Sequence, residues 1–161
     1  MWNTFKFDFN RNFIHNNQWQ YLTNGLITTL EITALAVLLG IAIGFVVAVI
    51  RVTKHKTGKM KIASEICKIY LSVMRGTPVM VQLLLVYFAI LLPLGVEKFP
   101  AAVLCFGLNS GAYVAEIFRG GIMSIDNGQF EAGRSLGLNY VQTMIHIVIP
   151  QMFKTVLPTL C

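Results

Sequence analysis

The polar residues best placed to do chemistry in this 161-residue chain gather inside an apolar stretch. Asn109, Tyr113, Glu116 and Gly120 recur at steps of four, three and four, and Ser110 stands beside them. That spacing is one face of an α-helix. Polar groups at membrane depth are costly, and they face a bundle interior or an aqueous pathway. Two readings stay open: a lining for a polar solute, or hydrogen bonding between helices with a Glu116–Arg119 pair at one end. Gln82, in another uncharged stretch, poses the same choice.

Catalysis finds little support. Ser110-Gly111 follows Asn109, not the Gly-x-Ser-Gly of intramembrane serine proteases, and no histidine stands in an apolar run to act as base. His15, His55 and His146 are far apart, with neither metal-ligand spacing nor a His-Glu-x-x-His motif. A phosphate-cradling Gly-rich loop ending in Gly-Lys-Ser/Thr is missing from the sequence. Three cysteines are too few, and odd in number, for a disulfide scaffold. The chain therefore reads as neither an enzyme nor the holder of a metal or cofactor.

The elements that must position the polar face follow from where charge is missing. Hydrophobic residues make up 55% and charged ones only 12%, about half the share of a soluble domain. Residues 32–50, 76–96 and 99–115 are uncharged runs of 19, 21 and 17 residues. At 1.5 Å per residue such runs match the hydrocarbon thickness of a bilayer. The first starts too late and is too long for a signal-peptide core. An all-α, membrane-spanning helical bundle is expected.

Residues 51–61 hold Arg51, Lys54, Lys56, Lys59 and Lys61 and no acid, so five of the six net positive charges belong to one short segment. Read as a solvated loop, it stays on the cytoplasmic side. The N-terminus and residues 93–98 then lie outside, and everything after about Arg119 lies inside. Cys67 and Cys105 fall toward opposite faces and should not pair. The basic segment has no interleaved aromatics for stacking, so nucleic acid is not an expected partner. Trp2, Phe5, Phe7, Phe9, Phe13, Trp19 and Tyr21 fill the outer segment, residues 1–20 and just beyond, as an interfacial belt. The alternation of Phe5, Phe7 and Phe9 also suits a short strand.

Gly40 and Gly44 form a Gly-x3-Gly that would permit close helix approach. Residues 60–74 read as helical and lead into Arg75-Gly76-Thr77-Pro78, where the proline is expected to mark a span end rather than a functional bend. Asp126 can cap a helix running through Glu131, Arg134 and Leu138, closed by Gly137. A second amphipathic stretch, residues 140–149, should end at Pro150. A fourth span is barely begun when the sequence stops at Cys161, so the chain reads as C-terminally truncated.

Glu131-Ala132-Gly133, Gly137 and Ile147-Val148-Ile149-Pro150 together resemble the E-A-A-x3-G-x9-I-x-L-P signature of permease subunits of bacterial ABC importers. Gly133 replaces the second Ala and Ile149 the Leu. Arg75-Gly76-Thr77-Pro78 with Gln82, and the stretch from Asn109-Ser110-Gly111 through Glu116 to Gly120-Gly121-Ile122, are similar to the polar amino acid branch, the histidine, glutamine, arginine and cystine permeases.

The resemblance implies a single, incomplete transmembrane domain over residues 1–161, of the type I importer kind, to which the uncharged runs contribute three full spans and the start of a fourth. It implies a bacterial cytoplasmic-membrane protein whose residues 126–150 dock on a separate ATP-binding subunit, which binds the ATP. Glu131, Ala132, Gly133, Gly137, Ile147 and Pro150 would carry that coupling. Arg75, Gln82, Asn109, Ser110, Tyr113 and Glu116 would line the pathway for a polar amino acid, with Glu116 facing an ammonium or guanidinium group. The other implied partners are a second permease subunit, identical or not, an extracytoplasmic solute-binding protein and membrane lipid. A non-transporting membrane scaffold is the alternative.

Overall fold

A computed structural model describes Trp2, Lys6, Phe7, residues 17–58 and residues 60–160. Phe5, Phe9, Phe13, His15, Lys59 and Cys161, all noted above, lie outside the described residues. Lys6 and Phe7 are helical, so the strand reading does not apply at Phe7.

Helix α1 is Trp19–Thr57, α2 is Lys61–Gly76 and α4 is Lys98–Met123. Helix α3 is Val79–Leu85, carried on by a π-helical Val86–Leu91. Helix α5 is Asn127–Ser135. Helix α6 runs through Tyr140–Thr143, a π-helical Met144–Val148 and Ile149–Leu160. No strand occurs among the described residues. Helices α1 and α4 are each long and apolar enough to cross a membrane, and α2 with α3 makes a third crossing if the bent pair counts as one.

Helix α1 contains 39 residues and so is roughly 58 Å long at 1.5 Å per residue, longer than the roughly 30 Å hydrocarbon core. This corrects the expected basic loop. Residues 51–57 are the last two turns of α1, which is capped at Gly58, and α2 begins at Lys61. Lysines suit a helix C-terminus because they meet the negative end of its dipole. The stop is Gly58, at φ +70°, whose N–H reaches Lys54 O at 2.9 Å.

The Gly-x3-Gly of α1 is a packing surface. A Cβ on Gly40 would lie 2.9 Å from Ser110 Cβ, and one on Gly44 would lie 2.9 Å from Ala115 N. Helix α4 answers with Gly107 against Leu39 and Gly111 against Ile43. Two buried clusters fasten this seam. Val47 of α1, Cys67 and Leu71 of α2, and Ala112 and Ala115 of α4 form one. Val52, Phe118, Ile122, Phe130, Met144, Val148 and Met152 belong to the other, which joins α1, α4, α5 and α6.

Two proline expectations change. At Thr77-Pro78 the helix does end, but the chain also turns through 111° into α3. Proline confines the preceding residue to extended geometry, and Thr77 has φ −122° and ψ 147°. Pro150 does not end its helix, because the π-segment just before it shifts the pairing. Ile149 N–H bonds Met144 O, five residues back, so the ladder absorbs the missing proline donor.

Candidate functional site

Gln82 projects from the first turns of α3 toward the bend, because Pro78 starts that helix beside the end of α2. Its Nε2 donates to Met74 O at 2.9 Å and Thr77 O at 2.9 Å, carbonyls that the end of α2 leaves without helical partners. Its Oε1 accepts from Asn109 Nδ2 of α4 at 3.0 Å. Thr77 Oγ1 donates to Val73 O at 2.9 Å. One turn back along α2, Tyr70 OH donates to Leu108 O at 2.5 Å. A neutral clasp thus holds the bend against α4.

Glu116 lies two turns further along the same face. Its Oε1 accepts from Arg51 Nη1 of α1. Its Oε2 accepts from Arg119 Nε at 3.0 Å and Nη2 at 2.8 Å, with Arg75 Nη1 of α2 at 3.9 Å. The Arg75 guanidinium lies 5.8 Å from the centroid of the Tyr113 ring. One carboxylate therefore meets three guanidiniums from three helices, and the cluster keeps two surplus positive charges. Arg51, Arg75, Glu116, Lys68 and Ser72 line an adjoining opening of about 480 Å³.

Five of the six pathway candidates, Arg75, Gln82, Asn109, Tyr113 and Glu116, thus meet along one face. Ser110 does not join them. It turns toward Gly40 of α1 and lines a separate cavity of about 320 Å³ with Thr29 and Thr33. Arg51 was not among the sequence candidates, because it is 65 residues from Glu116 in the chain and read as part of a loop.

The second candidate region is α5 with the start of α6. Asp126 caps α5, its carboxylate accepting from Gly128 N–H at 2.9 Å. The helix ends at Ser135 rather than near Leu138. Leu138 N–H bonds Gly133 O at 3.0 Å and Gly137 N–H bonds Arg134 O at 2.9 Å, the paired bonds of a Schellman ending. That ending requires a left-handed residue, and Gly137 has φ +79°. Asn139 and Gln142 then form a reciprocal capping box for α6. The Asn-x-x-Gln spacing is readable in the sequence and was missed.

The departure at Gly133 has a steric cause. A Cβ there would lie 2.6 Å from Thr143 Oγ1, so α5 and α6 approach too closely for the usual alanine. Phe130 is buried and stacks on Tyr140, centroids 6.2 Å apart. Lys56, at the end of α1, donates to Asn127 Oδ1 and lies 4.8 Å from the Phe130 ring centroid. Gln151 Nε2 donates to Gln129 Oε1 at 3.2 Å. Burial pushes the Tyr140 phenol up, and the nearby Thr53 hydroxyl stays outside hydrogen-bonding geometry. Glu131, Ala132, Arg134 and Pro150 are exposed, Ile147 is half-buried, and Lys56, Glu131 and Arg134 edge a groove of about 220 Å³.

These features define a helical membrane bundle with a polar face on α4 and an exposed, rigidly braced helix beyond its end. Residues 40–161 match the family described as "Binding-protein-dependent transport system inner membrane component", and the chain belongs to that family. It is 37% identical over 142 residues to a putative glutamine transport system permease protein of Rickettsia prowazekii, covering 87% of this chain and 63% of that protein. It is 37% identical to the arginine transport system permease protein of Bacillus subtilis, covering 89% and 64%, and 32% identical to that organism's L-cystine transport system permease protein, covering 91% and 61%. A crystal structure of an amino acid ABC transporter with histidines superimposes with a TM-score of 0.72 at 41% identity, covering 86% of this chain and 63% of that one. The chain spans less than two thirds of these relatives' lengths.

Proposed function

We propose that the chain acts as a permease subunit of an ABC importer for a polar amino acid, with an ATP-binding subunit gripping α5. The observation that carries this reading is the bracing of α5: Glu131 and Ala132 are exposed while Phe130 and Gly133 are buried against α6. A partner pulling on Glu131 would move α5, the start of α6 and the end of α1 as one body. The shared buried cluster reaches Phe118 and Ile122 of α4, so that motion would arrive beside Glu116. Two-state rocking biased by nucleotide would then open the polar face to either side in turn.

The substrate carboxylate would meet the surplus arginine charge. Glu116 is already engaged, so it would take a substrate cation only by releasing an arginine. Arg75, the most exposed and most distant of the three, would leave first. The remaining parts of the reading are a second permease subunit, a solute-binding protein outside, and a cytoplasmic-membrane location with the N-terminus outside and residues 126–150 inside.

The test is uptake of labelled histidine, glutamine, arginine and cystine by the full chain, co-expressed with its ATP-binding subunit and binding protein and reconstituted in vesicles. Glu131→Lys should abolish ATP-dependent uptake while membrane insertion stays normal. Unchanged uptake in a well-expressed Glu131→Lys/Gly137→Asp double variant would sink the coupling role. No uptake of any amino acid by the intact complex would favour a scaffold.

A further inference from the structure

A cavity of about 300 Å³ opens between the ends of α1, α2 and α4, next to the opening beside Glu116, with which it shares Arg51 and Lys68. Arg51, Lys54, His55, Glu65, Lys68 and Arg119 are among its walls. Four of these are permanent cations and one is an anion. Some of that charge is spoken for: Lys54 pairs with Glu65 at 2.5 Å, and Arg51 and Arg119 share Glu116. Even with Glu116 counted, two positive charges remain uncompensated, and Lys68 makes no ion pair among the described residues. Such a concentration of cations around a concave space is self-repelling unless an anion enters it.

The depth of the cavity narrows the choice of anion. The uncharged run of α1 stops at Arg51 and that of α4 stops at Glu116, so the cations gather where two spans leave the hydrocarbon. We propose that this cavity binds a phosphate group, supplied by the headgroup of an anionic phospholipid. A second feature favours the lipid source over a soluble one. On the adjoining face of α2, Ile62, Ile66, Ile69 and Val73 are all exposed, at helical spacing. An amphiphile with a phosphate head and apolar tails would cover both surfaces at once. Basic pockets between spans hold anionic headgroups by the same chemistry.

Native mass spectrometry of the full chain, purified with its co-expressed partners in detergent, tests this with added phosphatidylglycerol or phosphatidylcholine. Wild type should retain phosphatidylglycerol in preference to phosphatidylcholine. Lys68→Gln should lower that retention about fivefold, the effect of one surface cation near a charged headgroup. Lys68→Arg should retain the lipid, as should Lys61→Gln, an exposed lysine on α2 outside the cavity wall. Inorganic phosphate bound by lipid-depleted wild type but not by Lys68→Gln, with no lipid preference, would keep the phosphate site and overturn the lipid source. Equal retention of both lipids, or equal losses in Lys68→Gln and Lys61→Gln, would overturn the site.

Discussion

Two polar clusters lie seven residues apart on one face of α4, about 10 Å along its axis, and they are built from opposite chemistry. Around Asn109 the partners are neutral: one amide from Gln82 and the backbone carbonyls that a 111° bend leaves unpaired. Around Glu116 they are ionic, and arginines outnumber the carboxylate three to one. A carbonyl left by a broken helix has no other partner to seek, so the clasp fixes one geometry. An arginine sharing a crowded carboxylate can accept another anion without losing all its bonding. The first cluster is suited to hold a hinge angle and the second to exchange partners.

Glu116→Ala should produce the largest effect of any change to either cluster. It leaves Arg51, Arg75 and Arg119 facing one another without a counter-charge. A loss of about 2–3 kcal/mol is expected for a half-buried ionic hub. At about 2–4 °C per kcal/mol for a chain this size, the melting temperature of the solubilised protein should fall by several degrees. Salt should narrow the gap from wild type, because screening relieves the repulsion. A gap of the same size at low salt and at about 1 M would show that the cluster is not held by charge.

The contrast also explains what could be read from the sequence. Helix existence, the polar face of α4, the Asp126 cap and the Gly137 turn follow from local spacing, and the structure contains each of them. The motif that runs from Glu131 to Pro150 is equally local, since all its residues fall within 131–150. What stayed hidden depends on partners far along the chain. Arg51 meets Glu116 only because Gly40 and Gly44 bring α1 against α4 in one register. Lys56 meets Asn127 for the same reason, and no spacing rule links residues 71 positions apart. Ser110 went to the wrong face because adjacency in sequence places side chains about 100° apart on a helix. Pro150 misled because a π-turn, which has no composition signal, can take up a proline.

Gln82→Leu should rank second, near 1–2 kcal/mol, since it strips hydrogen bonds from carbonyls without touching a charge. Its melting shift should be the same at low and high salt. Spin labels on the exposed Ile66 and Leu84 should report a broader distance distribution as the bend loosens. An unchanged distribution would mean that Pro78 alone sets the angle, and that the clasp follows the bend instead of holding it.

Arg75→Lys should be the smallest. Arg75 sits 3.9 Å from Glu116 with its side chain 44% exposed, a contact worth no more than about 0.5 kcal/mol by the standard of surface pairs. Lysine keeps the charge but cannot keep the planar group over Tyr113, so any effect beyond that limit reports the ring contact. Stability should barely move, whereas uptake should slow if Arg75 is the arginine that a substrate displaces. A melting shift as large as that of Glu116→Ala would mean that all three arginines are locked. Exchange would then be impossible, and the ionic cluster would be as fixed as the neutral one.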